Sequence, residues 1–240
     1  MMLTLDIETL PTTDEAVIAS LADSVKAPGT LKKPESIAAW MEENRESATA
    51  ELVAKTSFDG LYGSIACICY QFDDSEVFSV DCVSSGDEKT MLEHFYSHVF
   101  DMVCTEYHGG VASQNLTVCG HNIAGFDLPF LKHRSIILGV KPPVAMLKAM
   151  NAKPWDTCIA DTMLMWSSDS QKRASMDKLC KAFGFEGKGN FDGSMVAETW
   201  PVDPQKVIDY CKDDVRRTRA IYRRLTFAAP CVEYAMELAA

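Results

Sequence analysis

The chain has 240 residues, 47% hydrophobic and 24% charged, an ordinary globular composition able to bury a core without disulfides or structural zinc. A formal net charge of −11 and a pI near 4.9 argue against a protein that coats nucleic acid through its overall charge, but not against an enzyme that grips a short piece of it locally. Nine cysteines without a CxxC pair, no basic leader with a long apolar core, and no apolar run of the roughly eighteen residues a membrane helix needs predict reduced, mostly buried thiols in a cytoplasmic protein without membrane association.

In chain order, residues 2–7 (MLTLDI) read as a buried strand. Residues 12–57 differ in character: they are alanine-rich and helical, interrupted by APG at 27–29 and by Pro34, and form a helical insertion after the first strand. SIACICYQF (64–72) and EVFSVDCV (76–83) read as strands joined by a short turn. Helical periodicity follows over 87–104, a short strand over 116–122, and a helix from Phe126 to Leu138. WDTCIADTMLMW (155–166) fits either a strand or the start of a helix. Residues 175–183 read as a helix and 184–193 as a loop, and Pro204 opens a long helix to about residue 226. The pattern predicts an α/β fold with a hairpin at the start of a mixed sheet, in a single domain over residues 1–240.

Asp6 and Glu8 stand out because they interrupt an apolar run. Alternation along a strand points both carboxylates the same way, and two buried anions side by side are costly unless something compensates them. A divalent cation would do so, and oxygen ligands suit Mg2+ or Mn2+. A DxE pair alone is most often an ordinary surface feature. In GHNIAGFDLPFLKHR (120–134), Asp127 alone reads as an acid at a helix N-terminus, yet Gly120, Asn122 and Gly125 build a loop that permits close approach of a ligand, with Phe126 and Phe130 beside it. In DYCKDDVRRT (209–218), Tyr210 and Asp214 are four apart and share a helix face. Asp213 fits a solvated face, whereas apolar Val215 draws Asp214 toward the core.

Together, LDIET, HNIAGFD and YCKDDV resemble the three motifs of the DEDD superfamily of 3′–5′ exonucleases. The tyrosine four residues before the last Asp resembles its tyrosine-type branch, which includes the proofreading domains of family B DNA polymerases, and GKGNFDGS (187–194) resembles stand-alone exonucleases related to those domains. The resemblance covers roughly residues 1–10 and 60–226. It implies a ribonuclease H-like mixed sheet flanked by helices, and two divalent cations, Mg2+ or Mn2+, held by Asp6, Glu8, Asp127 and Asp214. It further implies that Tyr210 orients the attacking water, that Thr9 and Leu10 border the terminal nucleotide, and that Asn122 and Phe126 position the 3′ end. The expected partner is a nucleic acid 3′ end, DNA in preference to RNA, with replication or repair proteins as further candidates. A 3′–5′ exoribonuclease and a non-catalytic nucleic-acid-binding module on the same fold are the alternatives.

Residues outside the motifs suggest less. Lys132, His133, Arg134, Lys172, Arg173, Lys178 and Lys188 are candidate contacts for the upstream backbone, each also readable as a solvated side chain. Arg216, Arg217, Arg223 and Arg224 suit a helix C-terminus. His94 and His98 share helical spacing but lack the order of a zinc motif. Asp156 and Asp161 read as structural hydrogen-bonding groups, Trp155 and Trp166 as core or interface residues, and Cys67 and Cys69 as core thiols on one strand face.

Overall fold

The computed structural model describes residues 1–107, 110–113, 115–153, 155–167, 172–187 and 189–228; Lys188 and Cys231 lie outside them. The backbone divides into two compact units, Thr9–Ser64 on one hand and Met1–Glu8 with Ile65 onward on the other.

The strand β1 (Met2–Leu10) starts in the larger unit and ends in the smaller. The smaller unit continues with α1 (Glu15–Ser24) and α2 (Pro34–Lys55). Asp14 caps α1 by accepting from the Ala16 and Val17 amides, and Pro34 sits in the first turn of α2, where its missing N–H removes no helical bond. Neither helix has a fully buried residue. The Arg45–Asp23 ion pair between them is 50% and 80% exposed, so it contributes at most about 1 kcal/mol. Thr56 ties the end of α2 back to the start of the unit: its hydroxyl accepts from the Thr12 amide at 2.8 Å and donates to the Val53 carbonyl at 2.6 Å.

In the larger unit, β2 (Ser64–Phe72) and β3 (Phe78–Asp81) form an antiparallel hairpin, with Asp73 in the left-handed region at the turn. The strand expected to reach residue 83 stops at Asp81, because its carboxylate caps the short helix α3 (Cys82–Ser85) by accepting from Ser84 N at 2.7 Å. Asp87 then caps α4 (Glu88–Val103), whose Met91, Leu92, Phe95, Tyr96, Val99 and Val103 are buried. A separate two-stranded antiparallel sheet, β4 (Cys104–Tyr107) and β5 (Gly110–Ser113), follows; Cys104, expected at the end of the helix, opens its first strand. Next come β6 (Thr117–Gly120), α5 (Asp127–Leu138), and the seven-residue α6 (Val144–Met150), too short to stand out by periodicity. Residues 155–166, readable as strand or helix, contain both: β7 (Ile159–Asp161) passes directly into α7 (Thr162–Trp166). The chain continues with α8 (Met176–Phe183), α9 (Val196–Thr199) and α10 (Pro204–Leu225).

The main sheet has five strands in the order β3-β2-β1-β6-β7, with β1–β6 and β6–β7 parallel and β2–β3 antiparallel. It is therefore mixed, with β1 at its centre. Leu3, Leu5 and Ile7 join Ile68, Tyr70, Phe72 and the apolar side of α4 in the main core; each such side chain contributes about 2 kcal/mol by burial. By alternation, Thr4, Asp6 and Glu8 take the opposite face of β1. That face meets α10, whose buried stripe runs Val207, Ile208, Cys211, Asp214, Val215, Thr218, Ile221 at helical spacing. No described helix is long and apolar enough to cross a membrane.

Several side chains differ from expectation. Trp155 is 79% exposed and Trp166 45% exposed, so neither is a core residue. His98 accepts or donates a 2.8 Å hydrogen bond with the Tyr70 hydroxyl and packs edge-on against Phe72 and Phe78, while His94 is exposed. Arg134 meets Glu88 through two bonds of 2.9 and 2.7 Å, each side chain only 11% exposed. Glu88 Oε1 also accepts from Ile65 N at 2.8 Å at the start of the buried part of β2. Losing one partner of such a pair strands the other charge. Glu88→Ala is therefore expected to lower unfolding free energy by about 3 kcal/mol, whereas Asp23→Ala changes it by less than about 1 kcal/mol. Chemical denaturation of the two variants checks the contrast; equal small effects would show that the Arg134 pair carries no stability.

Candidate active site

The loop between β6 and α5 sets the position of Asp127. Asn122 has φ +64, a left-handed conformation that Asn tolerates better than most residues. The Gly125 and Phe126 amides both donate to the Asn122 carbonyl at 3.0 Å. A Cβ on Gly125 would come within 2.6 Å of the Asn122 side-chain oxygen, and one on Gly120 within 2.6 Å of Ile123. At Gly120 the clash reaches the Ile123 Cβ itself, so that position requires glycine for space; at Gly125 a side chain would have to displace the end of Asn122.

Asp161 anchors this loop from β7. Its carboxylate accepts from Asn122 N at 3.1 Å and Ala124 N at 3.0 Å, while also capping α7 through Met163 N and Leu164 N. The expectation of structural hydrogen bonding at Asp161 thus corresponds to four backbone donors. Sequence inspection gave no sign that two of them belong to the loop before Asp127.

Asp127 is the first residue of α5 and is buried, 4% exposed. Its Oδ1 accepts from Ile7 N at 3.2 Å. Ile7 lies between Asp6 and Glu8, so the second motif is fastened to the backbone of the first. Burial chiefly, with the neighbouring Asp161 and Asp214 charges, pushes the Asp127 carboxyl up from 3.8 to about 7, against the hydrogen bonds from the Asp127 and Ile7 amides.

Asp6 is half-buried and Glu8 is 8% exposed. Their carboxylate oxygens and the Cys211 sulfur lie within 4.8 Å of one another, and Cys211 Sγ is 3.4 Å from both the Asp6 carbonyl and Oδ2. Asp127 and Asp214 stand outside this tightest group. Asp214, 3% exposed, is held by Arg217 at 2.9 Å. Tyr210 is half-buried one turn before Asp214, its ring edge-on to Phe191 with centroids 5.0 Å apart; Lys206 lies over the Phe191 ring at 5.2 Å. Phe126 is half-buried against Phe130 at 5.7 Å. Thr9 and Leu10 belong to the smaller unit, where the Thr9 hydroxyl donates to the Ser57 carbonyl at 2.6 Å.

Asp6, Glu8 and Asp127 are thus gathered around one stretch of β1, with Asp214 close enough to act on Asp127. An all-carboxylate oxygen donor set beside a carboxyl that cannot ionise easily without help fits a hard divalent cation. Cys211 carried no expectation at this site, and Arg217, expected to complement a helix C-terminus, instead pairs with Asp214. The signal was present: Cys211 lies three residues before Asp214 on the buried stripe of α10, and Arg217 three residues after it. Among the candidate backbone contacts, Arg134 is engaged by Glu88 and Lys132 by Asn151 at 2.6 Å, while Lys178 and Arg173 are exposed. In the arginine cluster, Arg223 and Arg224 lie in the last turn of α10, as a helix C-terminus favours. Arg223 also pairs with Asp74, and Arg224 lies over Phe183 and Phe185.

Residues 61–236 match the family of predicted 3′–5′ exonucleases related to the exonuclease domain of PolB, and the chain belongs to that family. The matched span includes Asp127, Tyr210 and Asp214 and begins after Asp6 and Glu8. The fold is similar to the structure of the family B DNA polymerase from the hyperthermophilic archaeon Pyrobaculum calidifontis, with a TM-score of 0.54 and 16% identity. That similarity covers 94% of this chain and 24% of the polymerase chain. It is a likeness of fold: a ribonuclease H-like mixed sheet with flanking helices. No curated protein matches the chain.

The raised Asp127 carboxyl gives a signed prediction. Below about pH 4 the group is protonated whether folded or unfolded and costs nothing. As pH rises to about 7 the unfolded chain ionises it first, so the folded state loses stability, and the loss is complete above that. Asn keeps an acceptor for Ile7 N without the charge. In metal-free protein, Asp127→Asn is expected to gain on the parent between pH 4 and 8 by a few kcal/mol, at about 1.4 kcal/mol per pKa unit, and the gap should narrow when Mn2+ is added. Thermal unfolding across that pH range with chelator and with Mn2+ checks this; a variant less stable than the parent at pH 8 without metal would contradict it.

Proposed function

We propose that this protein is a metal-dependent 3′–5′ exonuclease that removes nucleoside 5′-monophosphates from the 3′ end of single-stranded DNA. The observation that carries the reading is the convergence on β1: Asp6 and Glu8 project from its central segment while Asp127, from a loop matched to an exonuclease family, grips the amide between them.

In this reading Asp6, Glu8, Asp127 and Asp214 hold two divalent cations, Mg2+ or Mn2+. When bound, such a pair supplies a nucleophilic water near neutral pH and offsets charge on the phosphate and the leaving 3′-oxygen. The carboxylates then place the charges and need not act as general bases. Tyr210 orients the attacking water through its hydroxyl; a phenol with an ordinary pKa near 10 is a poor base at neutral pH. Its contact with Phe191 restricts the ring, so the hydroxyl is held in position before substrate arrives. Asn122 and Phe126 act on the terminal nucleotide from the loop, Phe126 by stacking on a base. Arg217 neutralises Asp214 in the absence of cations, which lowers the cost of burying that carboxylate. The family relation to PolB supports DNA over RNA as the substrate and makes replication or repair proteins the expected class of partner.

The test is digestion of oligonucleotides labelled at either end, as DNA and as matched RNA, with Mg2+ or Mn2+ and with chelator. A stepwise 3′–5′ ladder on DNA, requiring metal and releasing mononucleotides, is expected. Asp6→Ala should lose several kcal/mol of stabilisation, at least about 100-fold in rate. Tyr210→Phe should lose roughly 10- to 100-fold with metal binding kept. Preferential degradation of RNA would move the substrate assignment, and binding without any shortening would overturn the reading.

A further inference from the structure

A second cluster lies on the same face of the sheet, made of sulfur rather than oxygen. Cys67 and Cys69 are two apart on β2 and so point the same way. Cys211 faces them from α10. The three sulfurs lie within 4.8 Å of one another, all three residues are fully buried, and none is in a disulfide. Cys69 Sγ lies 3.6 Å from the Ile208 carbonyl, and Cys211 Sγ 3.4 Å from Asp6 Oδ2.

We propose that Cys67, Cys69 and Cys211 form a site for a thiophilic divalent cation, Zn2+ or Cd2+, adjoining the carboxylate cluster but selecting a different metal. Isolated cysteines in a core need no common point; these three converge on one from two separate elements. Zinc binds thiolate at about 2.3 Å, which in a tetrahedral array sets sulfurs about 3.8 Å apart, within the observed spread. Thiolates select soft cations, whereas the oxygen donors of Asp6 and Glu8 suit Mg2+ or Mn2+. Binding is balanced by proton release: each of the three thiols loses its proton to solvent as its sulfur bonds the dication. Asp6 Oδ2, beside Cys211, is the oxygen donor positioned for the fourth place, and half-buried Asp6 gives the ion an entry route. Drawing Asp6 toward this ion would remove it from the carboxylate cluster, so occupancy should inhibit the nuclease; that consequence, unlike the site itself, rests on the proposed function.

The test uses the full, reduced, metal-free chain titrated with Co2+ as the probe. One equivalent is expected to bind with the near-ultraviolet thiolate-to-cobalt charge-transfer band and the intense visible bands of a tetrahedral site. Zn2+ or Cd2+ should displace it, and excess Mg2+ should not. Cys67→Ser and Cys69→Ser should each lose the band and weaken Zn2+ binding by at least about 100-fold, the upper end of what loss of an outer-shell partner costs. A cobalt spectrum of the unsubstituted chain lacking the thiolate band would overturn the proposal, whether or not the serine variants fold. The band in a chain that, once stripped of the thiophilic ion and supplied with Mg2+ or Mn2+, shortens no oligonucleotide would support this site and count against the nuclease reading alone. An active nuclease without the band would overturn this site alone.

Discussion

Negative charge gathered at the centre of the sheet is the constraint on which the rest depends. Asp6 and Glu8 leave β1 on one face, and Asp127 comes from another part of the chain to accept the Ile7 amide between them at 3.2 Å. That bond satisfies a buried donor and brings a third carboxylate beside the first two. Burial raises the proton affinity of Asp127, with Asp161 and Asp214 adding to it and the Ile7 bond opposing it. A protein gains nothing in stability from such an arrangement without a counter-charge. The scaffold nevertheless maintains it: a crowded Gly120, a left-handed Asn122 and the Asp161 clamp all serve the geometry of one loop. Demanding backbone geometry and anionic charge concentrated in one place are marks of a functional site.

The helix α10 meets this demand from the face of β1 that carries the acids. Its buried stripe is mostly apolar, and where it reaches the acids it carries Cys211 and Asp214. Arg217 supplies a positive charge to Asp214 from within the same helix, three residues on. Local compensation of this kind lets an anionic segment pack before any cation binds, at the expense of a competitor that a cation must displace or share.

Much of this was legible in the sequence because the informative residues violate local pattern. Acids inside the apolar run of β1, and Asp214 next to Val215 on an amphipathic helix, conflict with burial unless they have a purpose, and periodicity predicts which face they take. The end of α8 and the start of α10 were also readable, from the loop beginning at Gly184 and from Pro204. What could not be read were partnerships between distant segments. Nothing local to Glu88 or Arg134 marks them as a buried pair 46 residues apart, and Asp161 does not reveal in sequence that it holds the Asn122 loop. The convergence of Cys211 on Cys67 and Cys69 is likewise a property of packing, since each cysteine alone reads as a core thiol.

The most direct measurement is anomalous diffraction from crystals of this protein grown with Mn2+ and a short single-stranded oligonucleotide. Manganese peaks within coordinating distance of Asp6, Glu8 and Asp214, with the oligonucleotide's 3′ end beside them, are the expected result. Manganese absent from this cluster, or found only on surface acids, would contradict the claim that these carboxylates are gathered to hold cations.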